Sequence, residues 1–170
     1  QKLTYDMKAT SLNQLIEDCV AQLQPLADSR KARITLKLDE KDPKLFADAG
    51  HLSIAIVNII ENALKYADEP RVLIQTYHDN GNVLLSIKDN GIGIEPKYLK
   101  RIFQKFYRVP TGNIHNVKGF GLGLNFSRQI INEHDGKIQV SSIPGIGTEF
   151  KISFHEINLH EKNKNFIGRR

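Results

Sequence analysis

The chain has 170 residues, of which 40% are hydrophobic and 25% charged, with 24 Lys and Arg against 19 Asp and Glu. This composition suits one globular domain and is too apolar for a disordered chain. No apolar run approaches the roughly 20 residues needed to cross a bilayer. A single cysteine excludes an internal disulfide, and the six histidines lack the spacing of metal ligands.

The net positive charge is concentrated in one region. Six of the 24 basic residues but only one of the 19 acidic residues lie between residues 95 and 118, so this region carries the whole surplus of +5. Such a patch suits nucleic acid, a polyphosphate or simply a solvated helix face. Few aromatic residues interleave it, so we expect no nucleic acid as a partner.

Hydrophobic periodicity predicts a mixture of helices and strands. We expect long helices over about residues 11–28, 48–66 and 121–134. Alternating apolar residues predict strands at about 33–38, 72–78, 83–88, 137–142 and 148–154. The Asn80-Gly81 pair suits a tight hairpin turn between the second and third of these strands. Hairpins dominate, so the predicted fold is α+β, with three helices layered on a mixed, largely antiparallel sheet.

A segment without periodicity interrupts this pattern between residues 106 and 117. It contains Pro110 and Gly112, and we predict a loop of about a dozen residues. Connections of that length usually have a functional role.

The second predicted helix carries a polar stripe. Asn58, Asn62, Lys65 and Tyr66 recur at positions i, i+4, i+7 and i+8, so they project from roughly one face of an otherwise apolar helix. An Asn carbonyl oxygen suits Mg²⁺, which takes few protein ligands, and Lys65 could then face a phosphate. The alternative is a stripe that is merely exposed to solvent.

An acidic residue at a strand end begins the next motif, Asp89-Asn-Gly-Ile-Gly-Ile94. A carboxylate there can accept a hydrogen bond from the exocyclic amine of adenine, whereas guanine presents a carbonyl at that position. Gly91 and Gly93 would permit close approach of the backbone to a ring. The alternative is an ordinary turn between a strand and a helix.

Three alternate glycines, Gly119, Gly121 and Gly123, lead into the third predicted helix. Backbone N–H groups at a helix N-terminus form an anion site, which suits a nucleotide phosphate. The sequence lacks the Gly-Lys-Ser/Thr of a Walker loop, and a flexible hinge is the alternative.

In this order, together with Phe103, Phe106 and Gly145-Ile-Gly-Thr148, the motifs resemble the catalytic and ATP-binding domain of sensor histidine kinases. That domain belongs to the superfamily of gyrase, heat-shock chaperone and mismatch-repair ATPases. The resemblance covers about residues 10–154 and implies a two-layer α/β sandwich of the Bergerat type. It also implies an ATP lid over residues 107–120.

The resemblance implies a role for each motif. Asn62 would bind Mg²⁺, and Asn58, Lys65 and Arg108 would be the catalytic residues. Tyr66 would face the ribose and Asp89 the adenine. Further nucleotide contacts are implied for Gly91, Gly93, Ile94, Phe103, Phe106, Arg108, Lys118, Gly119, Phe120, Gly121, Leu122, Gly123, Leu124 and Thr148. Lys118 and Phe120 stand where many relatives carry small residues.

The implied activity is transfer of the γ-phosphoryl group of ATP to a histidine, and then to an aspartate of a response regulator. The acceptor histidine would lie on a separate dimerisation hairpin, since none precedes Thr10. We expect residues 1–9 to end the connection to that hairpin, residues 10–154 to form the catalytic domain, and residues 155–170 to form a polar tail. The full-length protein would be a homodimer, with this part on the cytoplasmic side of a membrane-anchored sensor.

Two other functional classes stay open at this point. A free-standing serine kinase or an ATPase clamp of the same superfamily would share the cleft, although clamps typically carry a Glu where this chain has Asn58. An interaction module that has lost nucleotide binding is the other alternative.

Overall fold

The computed structural model describes residues 4–110, 121 and 123–157. The elements in chain order are β1 (Lys8–Ser11), α1 (Leu12–Ser29), β2 (Arg33–Lys37), β3 (Lys44–Ala47), α2 (Ala49–Lys65), β4 (Arg71–Asp79), β5 (Asn82–Asp89), α3 (Pro96–Leu99), α4 (Gly123–Glu133), β6 (Lys137–Ile143) and β7 (Gly147–His155). Within these ranges, no helix has the length and apolar character that crossing a bilayer requires.

Five strands form the main sheet in the order β2-β4-β5-β7-β6. Only β2 and β4 pair in parallel, and every other neighbouring pair is antiparallel. The predicted mixed, largely antiparallel sheet is therefore confirmed, as are the three long helices. The sequence analysis did not predict α3, nor β1 and β3, which pair antiparallel as a separate two-stranded sheet.

The core lies between the sheet and the helices α1, α2 and α4. Helix α2 is central and packs against both of the other long helices. Its fully buried side chains include Leu52, Ile56, Ile59, Ile60 and Leu64. These side chains face the core, and the polar stripe lies on another face of the helix.

Asp48 fixes the start of α2 as its N-cap. The Asp48 carboxylate accepts hydrogen bonds from the backbone N–H groups of His51 (2.9 Å) and Asp6 (2.8 Å). The backbone N–H of Asp48 donates to Nε2 of His134 at 3.0 Å. The hydrogen bonds to the carboxylate, that of His51 above all, lower the pKa of Asp48 to about 2. Helix α2 thus begins within one residue of the predicted position.

Both ends of the described chain pack on the domain. The ring of Tyr5 contacts the rings of His51 and His134 edge-on, at 4.8 and 5.2 Å between centroids. At the other end, the N–H of Ile157 donates to the Lys44 carbonyl at 3.1 Å. Thr10 lies within β1 and His155 is the last residue of β7, so packed residues extend beyond these strands at each end.

Candidate functional site

A cavity of about 360 Å³ opens between α2, the segment after β5 and the start of α4. The predicted site residues that line it are Asn58, Asn62, Lys65, Tyr66, Asp89, Gly91, Gly93, Ile94, Arg108, Gly121, Gly123, Leu124 and Thr148. Residues from five separate stretches of sequence thus meet around one space.

Asp89 lies at the end of β5 with one carboxylate oxygen already engaged. Its Oδ1 accepts from the backbone N–H groups of Gly91 (2.8 Å) and Thr148 (3.1 Å). Burial raises the pKa of Asp89, while these two hydrogen bonds act in the opposite direction. The side chain is therefore held in one orientation, because both bonds use the same oxygen.

The segment from Gly91 to Ile94 rests on the β6–β7 hairpin. The carbonyl of Ile92 accepts from the N–H of Gly145 at 2.7 Å. Gly93 has a φ of +72°, and a Cβ there would lie 2.3 Å from the carbonyl oxygen of Ile143. A larger residue could not follow this path, so the glycine is required for the close approach.

Helix α2 contributes the polar wall. Asn58, Asn62, Lys65 and Tyr66 all line the cavity, as the helical spacing predicts. Nζ of Lys65 lies 3.4 Å from Oε2 of Glu61, which lines the same wall. The sequence analysis missed Glu61, although its spacing of three residues from Asn58 and four from Lys65 places it near this face. The wall therefore combines one cation, paired with a carboxylate, with several oxygen ligands.

The pKa of Tyr66 reflects its position at the end of this wall. Burial raises it, and the positive charge of Arg108 acts in the opposite direction. Arg108 therefore lies close enough to Tyr66 for its charge to act at the C-terminal end of α2.

The start of α4 lies beside α2. A Cβ on Gly123 would be 3.7 Å from Cγ of Asn58. Gly121, with a φ of +70°, accepts a hydrogen bond at its carbonyl from the N–H of Phe106 at 3.0 Å. The first-turn N–H groups of an 11-residue helix thus begin next to the polar wall, an arrangement that favours an anion.

Some predicted site residues do not reach the cavity. Phe103 is 6% exposed and packs edge-on against Phe150 in the core, at 6.3 Å between centroids. Phe106 is 73% exposed and does not line the cavity. The nucleotide contacts implied for these two residues stay predictions. Lys118, Gly119, Phe120, Leu122 and residues 111–120 of the expected lid lie outside the described residues.

Five apolar and aromatic residues that the sequence analysis did not name as contacts complete the lining. They are Ile92, Ile102, Tyr107, Val109 and Phe150. Tyr107 and Val109 lie within the expected lid, whereas the apolar character of the other three would place them in any core. Tyr107 packs beneath the guanidinium of Arg101 at 4.3 Å, which fixes its ring.

The comparison with protein families decides the assignment. The model of histidine kinase-, DNA gyrase B- and HSP90-like ATPases matches residues 47–158. The chain belongs to this family. The matched range contains every described residue of the cavity, and the family expected from the motifs is confirmed.

The relatives of this family member point in the same direction. Sensor protein RprX of Bacteroides fragilis is 42% identical over 156 residues, a match that covers 90% of this chain and 30% of RprX. The chain thus spans less than a third of that relative.

Solved structures share the fold. The mycobacterial sensor histidine kinase MprB superposes with a TM-score of 0.78 at 22% identity, covering 90% of this chain and 99% of that one. Full-length ShkA in complex with AMPPNP superposes with a TM-score of 0.81 at 23% identity, covering 93% of this chain and 33% of that one. The expected Bergerat-type α/β sandwich is confirmed.

Proposed function

We propose that this family member is the ATP-binding catalytic domain of a two-component sensor histidine kinase. The observation that carries the proposal is that Asp89 and Asn62 line the same cavity. A purine-binding acid and a metal-binding amide are what one nucleoside triphosphate with its Mg²⁺ requires. The similarity to sensor protein RprX supports a role in the same kind of sensor.

Adenine would bind at the Asp89 end. Oδ1 of Asp89 is engaged by two backbone N–H groups. Its second oxygen would accept from the exocyclic amine of adenine, and a guanine carbonyl in that place would repel it. This arrangement would favour ATP over GTP.

The donor set on α2 fits Mg²⁺. Asn62 offers an amide oxygen, with Asn58 one turn earlier and Glu61 beside it. Mg²⁺ prefers oxygen ligands and keeps several waters, so a single protein ligand is sufficient. Asn62 would hold the ion, which when bound supplies positive charge beside the phosphates.

The phosphates would lie between α2 and α4. Lys65, Arg108 and the first turn of α4 would stabilise the negative charge that develops as the γ-phosphoryl group leaves. The acceptor would be a histidine on a separate dimerisation domain, and the final acceptor an aspartate on a response regulator. The whole protein would be a homodimeric, membrane-anchored sensor with this domain in the cytoplasm.

Phosphoryl transfer in trans tests this proposal. The chain is incubated with γ-labelled ATP, Mg²⁺ and the purified histidine-bearing hairpin of the full-length protein. We expect label on the hairpin that is lost in acid and survives in base, as phosphohistidine does. A hairpin with the histidine replaced by Gln is the matched control. Absence of transfer from a chain that binds ATP would contradict the kinase function.

A further inference from the structure

We propose that Ser142 determines nucleotide specificity by orienting the hydroxyl group of Thr148. Ser142 does not line the cavity, so it would act as a positioning residue through a side chain that does. The inference rests on the proposed function, since it concerns the adenine end of the same site.

Three polar groups surround the Ser142 hydroxyl oxygen. The N–H of Ile94 lies 2.8 Å away, the carbonyl oxygen of Gly147 2.9 Å away and the hydroxyl oxygen of Thr148 2.8 Å away. Ser142 is half-buried on β6, next to the cavity wall. All three groups are therefore within hydrogen-bonding distance of one atom.

Counting donors and acceptors fixes the direction of each bond. A serine hydroxyl donates once and accepts twice. The N–H of Ile94 can only donate, and the carbonyl of Gly147 can only accept. The single Ser142 proton therefore goes to Gly147, and the remaining bond must use the proton of Thr148. Thr148 thus donates to Ser142, and the lone pairs of its own oxygen stay available to accept other hydrogen bonds.

This polarity matters because Thr148 is 7% exposed and lines the cavity beside Asp89. The free oxygen of Asp89 and the lone pairs of Thr148 both accept hydrogen bonds. An exocyclic amine offers two N–H groups, one for each oxygen, directly or through a bridging water. A purine with a carbonyl at this position offers none. By accepting the Thr148 proton, Ser142 prevents that proton from forming a hydrogen bond to the carbonyl of such a purine.

A purely structural role for Ser142 predicts something different. Its bond to Ile94 also attaches the Gly91–Ile94 segment to the β6–β7 hairpin. Loss of that attachment would weaken the binding of every purine nucleotide to the same degree. Selectivity between two nucleotides therefore separates the two roles.

The test compares ATP with ITP, which carries a carbonyl in place of the adenine amine. Calorimetry on the 170-residue chain gives the ratio of the two affinities for wild type, Ser142→Ala, Ser142→Thr and Ser141→Ala. We expect Ser142→Ala to lower the ratio about tenfold, as loss of one hydrogen bond would. Ser142→Thr keeps a hydroxyl and should keep the ratio. Ser141 is exposed on the same strand, and its replacement should leave the ratio unchanged.

A second variant isolates the pathway through Thr148. In a Thr148→Val background, Ser142→Ala should no longer change the ratio, because there is no hydroxyl left to orient. If Ser142→Ala weakens the binding of ATP and of ITP equally, the inference is overturned and the proposed function is left intact. Wild type that binds no ATP would overturn both. If Ser142→Ala does not fold, Ser142→Cys replaces it. The thiol has a similar shape but forms only weak hydrogen bonds, so this variant should also lower the ratio of ATP to ITP affinity.

Discussion

Asn62 stands on the cavity face of α2, one turn after Asn58 and directly after Glu61. An Asn in a helix interior has poor helix propensity, and an apolar residue in the same position would pack equally well. Its position is therefore better explained by the ligand that it would hold than by the stability of the helix.

Asn62→Ala should abolish the dependence of ATP affinity on Mg²⁺, because the proposed amide ligand is lost. Affinity for adenosine, which lacks phosphates, should stay within about twofold, since contacts at the Asp89 end are intact. Calorimetry with and without Mg²⁺ measures both. Asn132→Ala, at an exposed position of α4, is the matched control. Full Mg²⁺ dependence in Asn62→Ala would exclude this residue as the ligand.

Helix α2 carries the polar wall, so its N-terminal cap supports the site. Asp48 joins that cap to the segment before β1 and to His134 after α4. A loss of charge on its carboxylate would weaken the bonds from Asp6 and His51, whereas the backbone N–H of Asp48 would still donate to His134.

Asp48→Asn should remove an acid-dependent contribution to stability. The folded pKa of Asp48 is about 2, below the ordinary value of 3.8. The contribution, about 2 kcal/mol from that difference, is present above pH 4 and is lost as the pH falls through 2. Urea unfolding at pH 7, 4 and 3 should show the wild-type advantage shrinking with acid. Asp68→Asn, at an exposed position, should show no such trend. A constant gap at all three pH values would contradict this.

The elements differ in how well the sequence predicts them. Helix α2 is long and strongly periodic, and its predicted ends are within one residue of those in the structure. Strands β1 and β3 have four residues each, too few for periodicity to register, and they pair across more than thirty residues of chain. The register Lys8↔Ala47 arises from tertiary packing, which local sequence does not encode.

The cavity lining was predictable where chemistry and spacing coincide. Asp89 and Asn62 combine an unusual residue type with a defined position on an element. Phe103 carries the same aromatic signal as a ligand-binding residue, yet its side chain is buried in the core, where it contacts Phe150 edge-on. Ser142 belongs to a strand in which apolar and polar residues alternate, so nothing in the sequence distinguishes it from the other polar residues. Only the folded hairpin brings its hydroxyl to Thr148.

At the scale of the whole molecule, His78 connects two ends of the fold. Its Nε2 lies 2.9 Å from Oε1 of Glu156, after β7, and its Nδ1 lies 2.6 Å from Oδ2 of Asp39, after β2. These carboxylates, Glu156 first, raise the pKa of His78 above 6.5. When protonated, the ring can donate to both carboxylates and so link the chain after β7 to the segment after β2.

His78→Gln should therefore cost stability in a pH-dependent way. Because the folded pKa is raised, the contribution of His78 is fully present below pH 6.5 and is lost as the pH rises through the raised value. Thermal unfolding from pH 5.5 to 9 should show the largest difference from wild type at the acidic end. His155→Gln, at the exposed end of β7, is the matched histidine control. A difference that grows toward alkaline pH would be inconsistent with a charged His78.

The central claim is that one ATP molecule binds with its adenine on Asp89, and calorimetry of Asp89→Asn tests it most directly. The Asn oxygen can still accept from Gly91 and Thr148, but its amide nitrogen would then face the adenine amine, donor against donor. We predict a loss of ATP affinity of about 10- to 100-fold, as expected for a hydrogen bond to a charged group. Unchanged ATP affinity in a folded Asp89→Asn chain would contradict the account.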